Sequence, residues 1–260
     1  MVLRKLTIWG ALAAMTVLES IRRKDLWVSA ILAGLMMLAA GMMGKFGVKG
    51  LETFLKSSAL TVVNLLSTVL AVIFTARQIP EELSRRTVYP LLARPISRFD
   101  LLFGKFLGAY ALSLLGLALF AGIAWGALTY FGLGMGTIFW QYLALRAAVL
   151  GVVCALTLGL SVFLTPQATV TVSLLLAMIS QTFSSAVMLL DGEAERAGRF
   201  FLHALYFALP QFDLFDLSAR ASYGWAPIPA TTMLQVTVYG LLHAAAWLTV
   251  GALKFRRQAL

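Results

Sequence analysis

Charge is what this sequence has least of. Lys, Arg, Asp and Glu make up 12% of its 260 residues, against about 25% in a soluble domain. With 60% hydrophobic residues and a mean hydropathy of +0.88, a water-soluble globule is excluded and a polytopic membrane protein is expected. The length suits one membrane domain, 1–260, and leaves no room for a large soluble one. Cys154 is the sole cysteine and sits in an apolar run, so it forms no internal disulfide and reports nothing about redox compartment. His203 and His243 are the only histidines; one falls in a loop and one in an apolar run, so no metal or haem site is expected. No G-x-x-x-x-G-K-[ST] occurs: the Gly-Lys pairs at Gly44 and Gly104 lack the upstream glycine, so no nucleotide-binding loop is expected. Neither H-E-x-x-H nor G-x-S-x-G appears. Every Asp and Glu lies outside the apolar cores defined below. That argues against a membrane-embedded enzyme, and against proton-coupled transport, which places a carboxylate or histidine inside the membrane. A cleavable leader is not expected, because Glu19, Arg22, Arg23 and Lys24 follow the apolar residues 6–18 where small residues would be needed.

What is present is six apolar stretches: Leu26–Met43, Ser57–Ala76, Phe106–Phe131, Ala147–Leu164, Ala168–Leu190 and Thr231–Leu253. Each is near or above the roughly 20 residues that cross a bilayer as a helix. In lipid each must be helical, because a strand edge finds no partner there. The N-terminal apolar residues 6–18 are too few to span. With Leu3, Leu6, Ala13, Val17 and Ile21 near helical spacing, they read as a helix lying in the interface, or as one packed on the bundle.

The formal net charge is +10. It reads as the basic excess of a membrane protein's cytoplasmic side, and no nucleic-acid partner is expected. With the N-terminus inside, 14 of the 21 basic residues fall on cytoplasmic segments and 7 on the other side. Both termini are therefore expected in the cytoplasm. Thr165-Pro166-Gln167 is a very short link, so spans four and five form a hairpin. Gly132, Gly134, Gly136 and Trp140 read as an external loop. Arg146 is expected at the outer start of span four, with its side chain reaching the interface. Residues 191–230 form a long external loop in which Phe200–Leu209 dips into, or lies along, the outer leaflet.

The hydrophilic stretch Arg77–Lys105 has more internal design than a connector needs. Pro80 suits the first position of a short helix, and Glu81 and Glu82 suit its first turn. Leu83, Val88 and Leu91 can share one face, apart from Glu81, Ser84, Arg85 and Arg86. Pro90 stops that helix, and Ser97 with Asp100 three residues later has capping-box spacing for the next. Inside the membrane stretches, Asn64, Thr68, Ser180, Gln181 and Ser184 either bond helix to helix or line a polar path. Gly104–Gly108 and Gly122–Gly126 have the spacing of close helix contacts.

Three blocks together resemble the permease subunit of the type-2 ABC exporter family. The first is Ala13-x-x-Thr16-x-x-Glu19-x-x-Arg22, similar to the family's interfacial connecting helix. The second runs from Glu82 through Arg86-Thr-Val-Tyr-Pro-Leu-Leu-Ala-Arg94-Pro to Gly104-Lys105 and Gly108, similar to its first cytoplasmic loop. The third is Leu209-Pro-Gln-Phe-Asp-Leu-Phe215-Asp, similar to the loop before its last span. The resemblance implies an all-α fold of six transmembrane helices, with the interfacial helix at 1–25 and a coupling helix between spans two and three. It further implies two protomers and separate ATPase subunits that bind the ATP and Mg, so this chain would be no enzyme and hold no cofactor. Residues implied at the ATPase contact are Glu81, Glu82, Leu83, Arg85, Arg86, Thr87, Tyr89, Leu91, Leu92 and Arg94. A scaffold or mechanotransmitting subunit would carry the same loop. The coupling subunit of vitamin importers is similar in length but needs a second Ala-Arg motif, and only Ala93-Arg94 is present.

Overall fold

A computed structural model describes residues 2–21, 25–43, 50–84, 97–190, 198–200, 203, 206 and 209–257. Among them there are helices and no strands, as a chain this apolar requires. The order is α1 (Val2–Ile21), α2 (Asp25–Met43), α3 (Leu51–Ala76), α4 (Gln78–Ser84), α5 (Arg98–Tyr130), α6 (Ile138–Ser161), α7 (Pro166–Leu190), a 3-10 turn (Phe212–Phe215), α8 (Ser218–Tyr223) and α9 (Ala230–Arg257).

Among the described residues, four helices are long and apolar enough to cross a membrane: Leu51–Glu82, Arg98–Tyr130, Ile138–Ser161 and Ala230–Arg256. Two more, α2 and α7, stand where the sequence places spans one and five. The centre is α3 packed on α5 and α6. Ala59, Leu60, Val63, Leu66 and Leu70 of α3 meet Leu112 and Phe120 of α5 and Leu145, Val149 and Val153 of α6 in one buried cluster. The apolar window of α3 is 72% buried and that of α9 only 22%, so α3 is the axis and α9 is peripheral, resting on α6. Exposed Ile31, Leu35 and Leu38 on α2, and Leu234, Leu241 and Leu242 on α9, are what a lipid-facing surface carries.

Small residues decide how closely the helices approach. A Cβ on Gly104 would meet the Leu12 Cβ at 2.8 Å, and one on Gly108 the Thr16 Cβ at 2.6 Å. Hence α1 packs directly on α5 through Trp9, Leu12, Ala13 and Thr16. Gly122 and Gly126 meet nothing within 4 Å, so their spacing carries no contact. A second close crossing joins Gly251 of α9 to Gly159 of α6, where an added Cβ would lie 3.1 Å from the glycine Cα.

Two of the boundaries that differ from the sequence reading bear on the site. Helix α6 starts at Ile138, so Trp140 is helical and the loop shrinks to the glycines before it. Ile138, Phe139, Tyr142, Leu145 and Val149 are buried at helical spacing, which extends the apolar face well before Ala147. The helix after α3 starts at Gln78, two residues before Pro80. Proline at position 80 has no N–H to give the Ala76 carbonyl and crowds it, which is where α3 ends. Connecting residues 162–165 join α6 to α7, and the two pack together. Phe200–Leu209 lies mostly outside the described residues.

Candidate functional site

Two polar constellations stand apart in the bundle. The first gathers where the long hydrophilic stretch meets α5. Ser97 caps α5: its Oγ accepts from Asp100 N at 3.1 Å, and Ser97 N donates to Asp100 Oδ2 at 3.3 Å. The spacing of Ser97 and Asp100 makes that box legible in the sequence. Not legible was its third member, the Trp9 Nε1–H of α1, which donates to Asp100 Oδ1 at 2.9 Å. Beside it, Arg98 donates from one guanidinium nitrogen to the Phe255 carbonyl at 2.8 Å and the Arg256 carbonyl at 3.3 Å. It thereby closes the C-terminal end of α9, where the helix dipole favours a cation.

The α4 helix belongs to the same end. Ile79 is buried against the bundle, and Glu82 pairs with Lys105 of α5 at 2.5 Å, with side chains 17% and 6% exposed. Removing one partner of so buried a pair costs about 3–5 kcal/mol. Four elements, α1, α4, α5 and α9, are thus tied by polar contacts at one end. Glu81 is half-buried, and Leu83 lies in α4. Thr16 is fully buried, its Oγ donating to the Leu12 carbonyl at 3.0 Å, while Glu19 is exposed. Arg22, Arg85, Arg86, Thr87, Tyr89, Leu91, Leu92 and Arg94 lie outside the described residues.

The second constellation surrounds Arg146, which is 5% exposed and does not reach the interface as its sequence position suggested. It stands in the third turn of α6, about 12 Å along the axis from Ile138 at the usual rise. Its Nε donates to Ser67 Oγ at 3.2 Å, and one terminal nitrogen to the Asn64 carbonyl at 2.6 Å and to Thr68 Oγ. All three acceptors are neutral and all belong to α3. Among the described residues no carboxylate lies within ion-pair distance of it. An arginine at a helix centre costs about 2.5–3.5 kcal/mol to insert in a membrane, so three uncharged partners are a modest return.

The guanidinium borders a small recess. Asn64, Tyr142 and Gln181 form its sides, and Phe212, Asp213, Phe215 and Asp216 close it from the 3-10 turn. That turn is held by Phe212 and Phe215, both buried, and by Gln211 N donating to the Tyr239 hydroxyl at 3.1 Å. Gln141 clamps the following segment, exchanging two hydrogen bonds with the Ile228 backbone at 3.0 and 2.9 Å. Of the sequence-selected polar residues, Asn64, Thr68 and Gln181 are brought to Arg146. Ser180 is buried with its hydroxyl unpartnered among the described residues, and Ser184 lies in α7. Arg146 itself, with Asp213 and Asp216, completes the set; the run Ile138–Leu145 was the signal for burying it.

An all-helical bundle with several membrane-length apolar helices, a capped start to α5 and a polar recess between helices has the build of a polytopic membrane protein. The family model of the ABC-2 family transporter proteins matches residues 2–260. The chain therefore belongs to the ABC-2 transporter family and is an ABC transporter permease. No curated protein matches it.

Proposed function

We propose that this chain is the membrane-spanning half of an ATP-driven exporter. Six helices would cross the membrane, with α2 and α7 joining the four long apolar ones, and both termini would be cytoplasmic in a bacterial inner membrane. Two such protomers would enclose the path. ATP and Mg would sit on separate ATPase subunits, so this chain would neither hydrolyse nucleotide nor hold a cofactor. The coupling segment would be Glu81–Leu92, with Arg85 and Arg86 toward the ATPase. The observation that carries this reading is the family match across 2–260.

The described geometry supports it in one further way. Because α4 directly follows α3 and Glu82 is paired with Lys105 of α5, a push on the segment after Ser84 would act on both helices at once. The bond from Trp9 to Asp100 would carry α1 along. A scaffold subunit would share this linkage but have no use for a polar recess between helices, and the recess at Arg146 favours a path. The test is the mass of the complex extracted in detergent with its ATPase. Two permease chains with two ATPases are expected; a single permease on a single ATPase as the active species would overturn the reading.

A further inference from the structure

From the Arg146 recess we infer a binding site for a zwitterionic group, an anion and an ammonium carried by one ligand. This rests on the permease reading and deepens it. The anionic half belongs on Arg146, which is buried, aimed at the recess, and satisfied only by neutral oxygens of α3. Its Nε and one terminal nitrogen are taken by α3 oxygens, which leaves the second terminal nitrogen as the donor to a phosphate or carboxylate oxygen. The cationic half belongs on Asp216 and Asn64. Asp216 is exposed at the mouth, with one oxygen taken by the Ser218 N–H at 2.8 Å, and the Asn64 Oδ1 is buried with no hydrogen-bond partner among the described residues. Phe212 and Phe215 supply aromatic walls beside it, which suit an alkylammonium.

Charge selects the class. A simple anion would gain at Arg146 but be opposed by Asp216 and by Asp213, which lines the same mouth. A simple cation would meet the buried guanidinium. A ligand carrying both charges satisfies the floor and the mouth together. Phosphoethanolamine-type groups fit this description, whether on a lipid or free in solution.

The test uses the full chain in detergent and native mass spectrometry. Its probes are a phosphatidylethanolamine, the phosphatidylglycerol of the same chains, and soluble glycerophosphoethanolamine. The zwitterionic lipid is expected to bind about tenfold or more tightly than the glycerol lipid, a 1.4 kcal/mol preference. Arg146→Gln should abolish binding, and Asp216→Asn, at an exposed position that leaves folding intact, should erase the preference. Binding of the soluble headgroup at comparable affinity assigns the site to a soluble zwitterion; binding of the lipid alone assigns it to a headgroup. Equal binding of the two lipids with no binding of the soluble headgroup, or a preference unchanged in Asp216→Asn, overturns the proposal. None of these readouts needs the ATPase, so a failed coupling reading and a failed site are told apart.

Discussion

Gly108 leaves room for Thr16 and for nothing more. A methyl there would sit 2.6 Å from the Thr16 Cβ and 3.0 Å from the Ala13 carbonyl oxygen, neither of which can swing away. Gly108→Ala should therefore cost about 1–3 kcal/mol by overpacking and lower the thermal midpoint of the detergent-solubilised chain. Gly122→Ala, with nothing within 4 Å, should leave it unchanged or raise it, since alanine is the better helix former by about 1 kcal/mol. Equal midpoints for the two variants would contradict the α1–α5 packing. The four-residue spacing of glycines was legible in the sequence at both pairs, but which pair meets a neighbour depends on the facing helix. The Gly159–Gly251 crossing was not legible, because each glycine stands in a different helix with no local pattern. Arg146 was misplaced for a related reason. A count of apolar residues starts the span at Ala147, whereas the helix face formed by Ile138, Phe139, Tyr142 and Leu145 carries the arginine inward.

Among the elements, local chemistry located starts better than it located surroundings. Ser97 and Asp100 announce the start of α5 by themselves, and the capping box is present. Trp9 and Arg98, which bind that start to α1 and α9, lie far away in sequence and had no signal. Pro80 reads as the first position of a short helix, but that helix begins two residues earlier, at Gln78, because the whole first turn of a helix tolerates proline. The two polar constellations can be assigned to sides of the membrane by labelling. Arg77, just past the end of α3, and Ala219, in α8, are both exposed, and Cys154 is buried, so a Cys154→Ser background removes the native thiol. An impermeant thiol reagent on intact cells should label Ala219→Cys and spare Arg77→Cys until the membrane is opened. Labelling of position 77 from outside would reverse the topology drawn from the basic residues.

Across the whole molecule, helical class and membrane residence follow from composition, and the family match extends over residues 2–260. What composition does not convey is that α3 is the axis and that α4, α5, α1 and α9 are joined at one end by Glu82–Lys105, Trp9–Asp100 and Arg98. Such a joint would move as one piece if an ATPase pressed on residues 81–92. The measurement that bears on this most directly is made on Arg86→Glu in the complex with the ATPase, with Lys49→Glu as the control. ATPase co-purification and ATP hydrolysis by the complex are read together with membrane insertion. Losing a buried charge pair costs about 2–5 kcal/mol, so association should weaken about 30-fold or more, with insertion unchanged and the control at wild-type level. Wild-type association and hydrolysis in Arg86→Glu would contradict coupling through this segment and leave it a connector.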